Sequence, residues 1–201
     1  MLHDHLTSGN GYKCRLLLAL LGIPYKRIEY DIDRGETRTP AFLAKINANG
    51  RIPVLELDDG TCLPESNAIL CYLAEGTEYL PADRLARARA LAWMCFEQYS
   101  HEPNIATLRY WITHRIEMTP ERTAALPTKR AQGVAALGVM EGHLKKNDWF
   151  AAGRYTVADI ALYAYTHVAG EGGFDLAPFP AVRAWLARVA ARPGHIPITQ
   201  G

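Results

Sequence analysis

Arg51-Ile52-Pro53-Val54-Leu55-Glu56-Leu57, with Glu65-Ser66-Asn67-Ala68-Ile69-Leu70 beginning twelve residues after the proline, is the stretch that most narrows what this chain can fold into. It reads as a strand entered through a proline, a tight Asp58-Asp59-Gly60 hairpin, a short return strand, and a helix whose first turn begins at Ser66. The Ile52-Pro53 bond is of the tertiary-amide type in which cis is tolerated. A cis bond there leaves the N–H and C=O of Ile52 facing outward, placed to pair with an extended, peptide-like ligand. The first N–H groups of the Ser66 helix have no intrahelical partner and favour a carboxylate. A peptide clamp beside an anion site points to a small acidic peptide as ligand. Taken singly, Pro53 need only start a strand and Ser66 need only cap a helix. Their joint spacing is what carries the stronger reading.

The segments before this stretch alternate strand and helix signals. Leu2 to Leu6 is a short candidate strand, Ser8 to Gly11 a turn, and Lys13 to Leu21 an apolar helix stopped by Gly22 and Pro24. Lys26 to Ile32 alternates with period two, which puts Ile28, Tyr30 and Ile32 on one face of a second strand. Thr39-Pro40 opens a short helix ending at Ile46, closed by the turn residues Asn47-Ala48-Asn49-Gly50. With the hairpin and the Ser66 helix, the order is β-α-β-α-β-β-α with a proline at the third strand, a thioredoxin-like arrangement over residues 1–76.

Residues 77–82, with Pro81 inside, read as a linker, and beyond it every periodic signal is helical. Leu85, Ala88, Ala92, Cys95 and Tyr99 keep three- and four-residue steps along one face, and Ile105, Leu108, Ile112 and Ile116 along the next. Glu102-Pro103 is expected to break or kink the helical pattern. Pro120 and Pro127 bracket an expected loop, and Val134, Leu137, Met140 and Leu144 give another amphipathic face. Thr156-Val157-Ala158-Asp159 has capping-box spacing, with Tyr155 and Ile160 placed for a hydrophobic staple. Pro180 starts a last helix with Val182, Trp185, Leu186 and Val189 inward, ended by Pro193-Gly194. The fold class is therefore α/β followed by all-α, with residues 83–201 as an all-helical domain.

A net charge of +1, with no run of basic residues, argues against a nucleic-acid partner. No apolar stretch of about 18 residues is present to span a membrane. His3, Asp4 and His5 near the start do not suit a signal peptide, and a cytoplasmic protein is expected. Cys14, Cys62, Cys71 and Cys95 form no C-x-x-C pair and no zinc spacing, so no metal site is expected. Cys14, Cys71 and Cys95 sit in apolar helical patterns, where a cysteine behaves as a small buried hydrophobe.

The loop Ser8-Gly9-Asn10-Gly11-Tyr12-Lys13 precedes the first helix. In a thioredoxin-like fold this loop holds whatever acts on a thiol, because the helix N-terminus favours a thiolate. No cysteine stands here, so the chain has no evident nucleophile of its own. The Ser8 hydroxyl and the Asn10 amide can instead donate to a thiolate carried by the ligand, which lowers its pKa. Asn10 could alternatively serve only as an N-cap. Rival motifs fail: Cys14 stands where a dinucleotide fingerprint needs its third glycine, Lys13 lacks Walker spacing, and Ile105 stands where a zincin needs its second histidine.

The Ser8/Asn10 loop, Ile52-Pro53, Glu65-Ser66 and the Thr156–Asp159 box together resemble the cytosolic glutathione transferases over nearly the whole chain. The similarity is to bacterial members with a Ser/Thr-x-Asn activating loop, as distinct from those with tyrosine or cysteine there. The resemblance implies Ser8 and Asn10 as the thiol-activating pair, with Tyr12 packing. It implies that Ile52, ahead of Pro53, pairs its backbone with the cysteinyl unit of glutathione, and that Glu65 and Ser66 take the γ-glutamyl amine and carboxylate. Arg38 and Arg51 are candidates for the glycine carboxylate. Asn104, Tyr110, Trp111 and His114 are candidates for the pocket of a second substrate, with one or two of them expected to line it. Glutathione enters as co-substrate, with no separate cofactor. The implied function is glutathione addition to a small apolar electrophile, a detoxifying transferase working as a homodimer. The alternatives are a glutathione-dependent disulfide or peroxide reductase, or a non-catalytic binding protein of the same fold.

Overall fold

Strand β1 (Leu2–Asp4) runs parallel to β2 (Arg27–Glu29) and antiparallel to β3 (Val54–Glu56), and β3 pairs antiparallel with β4 (Cys62–Pro64), giving the sheet order β2-β1-β3-β4. This computed structural model describes residues 1–201. Leu2 is in register with Leu55, and Leu55 with Leu63. Because side chains alternate along a strand, all three fall on one face. Leu2 and Leu55 pack there with Cys14 and Leu18 of α1 (Gly9–Leu21) and Ile69 of α3 (Ser66–Ala74), and Leu63 is packed against them. The opposite face carries His3, whose Nε2 lies 2.7 Å from Glu56 and whose Nδ1 lies 2.9 Å from the Tyr30 hydroxyl.

Helix α1 begins earlier than the expected Lys13. The Ser8 side chain accepts from the Gly11 N–H and caps it, so Gly9 to Gly11 is the first helical turn and no separate turn. Gly22, at φ +62°, closes the helix by donating to the Ala19 and Leu18 carbonyls. Helix α2 (Pro40–Lys45) is capped by Thr39, which accepts from Phe42 N–H.

Residues 193–201, which the sequence pattern grouped with the helices, belong to the same compact unit as residues 1–76. They are held there by Tyr12, whose hydroxyl donates to the Ile196 carbonyl at 2.7 Å, and by Arg15, which donates to the Ile198 carbonyl at 2.9 Å.

The second unit is Thr77–Arg192. It includes the whole stretch expected as linker: the Tyr79 carbonyl accepts from Val157 N–H, and Leu80 is buried. Helix α4 (Arg84–Phe96) passes through a π turn (Glu97–His101) into α5 (Glu102–Thr113) without a break. Pro103 has no N–H to donate four residues back. The wider turn absorbs this, with Glu102 N–H bonded to the Glu97 carbonyl, and Pro103 falls in the first turn of α5, where it is tolerated.

The expected loop between Pro120 and Pro127 is instead the start of α6 (Pro120–Leu144). Pro120 follows the Thr119 cap, and Pro127 lies inside the helix. Thr123, whose carbonyl loses its usual donor to Pro127, is exposed, as is the proline.

The face expected inward along α4 and the π turn points outward: Leu85 is 58% exposed and Tyr99 84%, and Ala88, Ala92 and Cys95 are exposed too. The inward positions are Ala90 and Met94, continued by the polar Glu97 and His101. His101 Nε2 lies 2.9 Å from Thr166 Oγ1, and Gln98 donates to Glu97 Oε2 at 2.8 Å, so each buried polar side chain has at least one partner. Ile112 and Val134 are likewise exposed, against the expected stripes. Cys14 is buried and Cys71 half-buried, but Cys95 is exposed.

At the centre of this unit every residue of α7 (Val157–Thr166) is buried, as expected for a helix apolar nearly all round. The capping box is formed, and Asp159 gathers more than the box requires. Its Oδ2 accepts from Thr156 N–H and Oγ1–H at 2.9 and 3.3 Å. Its Oδ1 accepts from Phe150 N–H at 3.2 Å and from the indole N–H of Trp185, on α8 (Pro180–Ala190), at 3.0 Å. Burial pushes the Asp159 carboxyl up to about 7, although all these donors pull it down. No helix is long and apolar enough to cross a membrane.

Candidate functional site

The start of α1 is built by close approach between β1 and the helix. A Cβ on Gly11 would lie 1.6 Å from Asp4 Oδ1, so only glycine lets the carboxylate sit against this first turn. Asp4 is buried and pairs with Arg15 Nε at 2.8 Å, and Arg15 also donates to the Leu6 carbonyl. Desolvation raises the Asp4 pKa, while the Arg15 charge opposes it. Nothing in the sequence pattern singled out Asp4, Arg15 or Gly11, because each acts through a contact across elements.

Ser8 and Asn10 sit on the turn so formed, both half-buried. Ser8, and not Asn10, is the helix cap: its Oγ accepts from Gly11 N–H at 3.2 Å. A hydroxyl has one proton to give besides its lone pairs, so capping leaves Ser8 able to donate to a ligand. Asn10 is the second residue of α1. Tyr12 is buried, as expected for a packing residue.

Ser66 brings the second loop to this one. It is 6% exposed, and its Oγ donates to Asn10 Oδ1 at 3.2 Å. Ser66 is the first residue of α3 and not its cap; Glu65 holds the cap position and makes no side-chain capping bond. The N–H groups opening α3 are thus not closed off by a side chain of the cap residue. Glu65 has φ +73° and ψ 110°, a conformation that costs a non-glycine residue about 1–3 kcal/mol and that clusters at ligand sites. Ile52-Pro53 is cis, and Ile52 lies just ahead of β3.

Arg38 and Arg51 flank one turn. Arg38 Nη1 donates to the Asn49 carbonyl at 2.9 Å, and a Cβ on Gly50 would lie 2.6 Å from the same nitrogen. The Arg51 carbonyl accepts from Asn47 Nδ2 at 2.9 Å. Both arginines are exposed beside the residues that lead into Ile52.

The four candidates on α5 do not converge. Asn104 is buried, donates to the Ser100 carbonyl at 2.8 Å, and lines a groove of about 340 Å³ together with Phe96, Tyr99, Gln132, Ala136 and Val139. Tyr110 and His114 pair with each other, ring centroids 4.2 Å apart, and neither they nor Trp111 line that groove. No group of three or more His, Cys, Asp or Glu is placed to hold a metal ion.

Comparison with known proteins agrees with this architecture. Residues 1–75 match the model for the glutathione S-transferase N-terminal domain, and residues 90–193 match that for the C-terminal domain. The structure superposes on that of a glutathione S-transferase from Pseudomonas fluorescens Pf-5 with a TM-score of 0.95 at 49% identity, covering 99% of this chain and 98% of that one. Ure2p in complex with glutathione matches with a TM-score of 0.87 at 26% identity, covering 96% of this chain and 94% of that one. The disulfide-bond oxidoreductase YfcG of Escherichia coli K12 is 30% identical over 193 residues, which span 92% of this chain and 87% of the relative.

Proposed function

Since this chain belongs to the glutathione S-transferase family, we propose that it binds glutathione in its first unit and activates the bound thiol for addition to an electrophilic small molecule. The observation that carries this is the 3.2 Å contact between Ser66 and Asn10, which sets the start of α3 beside the start of α1. A ligand with a carboxylate at the first site then presents its thiol at the second, and glutathione has that shape.

Glu65 and Ser66 receive the γ-glutamyl amine and carboxylate, the latter favoured by the open N–H groups of α3. The Ile52 backbone pairs with the cysteinyl unit, and Arg38 and Arg51 meet the glycine carboxylate. Ser8 and Asn10 donate to the sulfur, which favours its deprotonated form, assisted by the α1 dipole. The thiolate then forms the S–C bond with the electrophile: an aryl halide loses its halide while the thiol proton leaves to solvent, and an activated alkene opens its C=C bond and takes a proton at carbon. Glutathione is the co-substrate, and no resident cofactor is required. For the second substrate, Asn104 is the candidate retained, on the apolar character of its groove.

Disulfide reduction is the second reading, favoured by the similarity to YfcG. It would have to run through the thiol of glutathione, because the Ser8–Gly11 loop holds no cysteine and Cys14 is buried with its thiol pushed up by desolvation. The outward stripe that runs from Leu85 on α4 to Tyr99 in the π turn supports a homodimer. A glutathione-dependent protein belongs with the cytosolic glutathione pool, so a cytoplasmic location is part of the proposal.

The test is retention on immobilised glutathione and release by the free tripeptide, followed by parallel assays of aryl-halide conjugation and of glutathione-dependent disulfide reduction. Conjugation by the retained protein supports the transferase. Reduction alone selects the second reading, and retention with neither activity leaves a binding protein. Failure to be retained overturns the assignment of the site.

A further inference from the structure

We infer that Ser66, besides meeting the ligand, fixes which end of the Asn10 amide faces the sulfur, and so acts as a positioning residue for thiol activation. This rests on the reading of Ser8 and Asn10 as thiolate donors. A primary amide has two ends of similar size and opposite character, an oxygen that accepts and an NH₂ that donates. An amide left to turn can serve both states of a bound thiol: its oxygen accepts from S–H, and its nitrogen donates to S⁻. Stabilising both states moves the thiol pKa little. An amide held with its nitrogen toward the sulfur favours the thiolate alone.

The contact between Ser66 Oγ and Asn10 Oδ1, at 3.2 Å, supplies that restraint. The amide oxygen carries no hydrogen, so the shared proton is the serine's, and the oxygen end of Asn10 is committed to Ser66. Ser66 is buried, so water competes weakly for the hydroxyl. The two residues lie 56 positions apart, and the bond therefore joins separate segments and serves neither as an intrahelical contact. Ser66 can do this while binding ligand. With its one side-chain proton given to Asn10, Ser66 still meets the γ-glutamyl carboxylate through its backbone N–H, one of those opening α3, and Glu65 takes the ammonium.

The test is the ultraviolet thiolate absorbance of bound glutathione against pH, at ligand concentrations well above each variant's Kd so that lost affinity drops out. The proteins compared are wild type, Ser66→Ala, Ser66→Thr, Asn10→Ala and Ser66→Ala/Asn10→Ala. Ser66→Ala should raise the midpoint by at least about 0.3 unit, a twofold change in the thiolate-to-thiol ratio, and by less than Asn10→Ala does. In the Asn10→Ala background the Ser66→Ala step should add nothing, because no amide remains to orient. Ser66→Thr, which keeps the hydroxyl, should return the wild-type midpoint. A midpoint in Ser66→Ala equal to wild type, with Asn10→Ala raised, overturns this inference and leaves the donor reading intact. An equal rise in both backgrounds also overturns it, since Ser66 would then act without Asn10. If Asn10→Ala itself matches wild type, the donor reading fails and this inference with it.

Discussion

Arg15 Nε donates to Asp4 Oδ2 at 2.8 Å with both side chains fully buried, and this pair joins β1 to α1 directly beneath the turn that carries Ser8 and Asn10. Removing one partner of a buried ion pair leaves the other charge uncompensated, at a cost of about 3–5 kcal/mol. Arg15→Met should therefore lower the urea midpoint by an amount equivalent to that range, and it also strips the Leu6 and Ile198 carbonyls of their donor. A variant that unfolds within about 1 kcal/mol of wild type would show that the pair contributes no more than a surface bridge.

The Thr156–Asp159 box should act on stability and leave ligand affinity alone. Thr156→Ala removes a hydroxyl from a fully buried helix start and should cost about 1–2 kcal/mol. Asp159 adds a pH signature. Its folded-state pKa, about 7, lies above the ordinary carboxyl value, so the folded chain keeps a proton that the unfolded chain loses near pH 4. This contribution to stability is present below about pH 4 and is lost as pH rises to about 7. Asp159→Asn cannot titrate, so the unfolding free energy of wild type minus that of the variant should fall across this window, by at most one proton's slope. A difference that stays flat from pH 4 to 7 would contradict the raised pKa.

At Glu65, binding and stability should separate. Glu65→Ala and Ser66→Ala should both weaken glutathione binding in titration calorimetry while the protein stays folded. Glu65→Gly should bind as poorly as Glu65→Ala and yet be the more stable by about 1 kcal/mol, because glycine accepts φ +73° without the side-chain penalty. Unchanged affinity in Glu65→Ala and Ser66→Ala would reject their place in the clamp. Equal melting temperatures for Glu65→Ala and Glu65→Gly would show that the backbone there stores no strain.

If the outward face of α4 seals a homodimer, light scattering at micromolar concentration should give a mass of roughly twice 22.3 kDa. Leu85→Glu with Tyr99→Glu places charge on two exposed apolar positions and should shift the population to monomer without unfolding it. A wild-type protein found only near the monomer mass removes the dimer from the proposal.

That stripe also marks the limit of what the sequence made legible. Turn and cap chemistry is local, so Asp58-Asp59-Gly60, Thr39-Pro40, Ser66 and the Thr156–Asp159 box all located their elements. The inner face of α4 and the π turn escapes a hydrophobic pattern because Glu97 and His101 are core residues with polar identities, whose partners include Gln98 and Thr166. A hydrophobic period sees apolar letters, and Leu85 and Tyr99 supplied them on the wrong side. In sequence Pro103 and Pro127 both signal an interruption, yet one is absorbed by a π turn and the other faces solvent within α6. The candidate site divides in the same way. The sequence pairs Ser8 with Asn10 and Glu65 with Ser66, while the Ser66–Asn10 bond and the Asp4–Gly11 contact that arrange them join residues distant in sequence or on different elements.

Ser8 and Asn10 should behave differently when removed, because the structure gives them different second roles. If each donates to the sulfur of bound glutathione, either alanine variant loses one bond to a charged group, about 1.5–3 kcal/mol, which corresponds to a rise of roughly one to two units in the bound thiol pKa. The α1 dipole persists in both variants, so neither should restore the value of free glutathione. Ser8 is also the α1 cap, through the 3.2 Å bond from Gly11 N–H, and Ser8→Ala should lose a further ~1 kcal/mol of stability. Asn10 has no capping role but accepts from the buried Ser66 hydroxyl, so Asn10→Ala should lose that bond, about 0.5–1.5 kcal/mol, while the start of α1 stays capped. Ser8→Gly separates the two functions, since glycine is nearly as good a cap as serine but has no hydroxyl to give. It should keep most of the stability and show the raised thiol pKa. A Ser8→Gly protein with the wild-type thiolate midpoint would reduce Ser8 to a cap and leave Asn10 and the helix N-terminus to hold the thiolate.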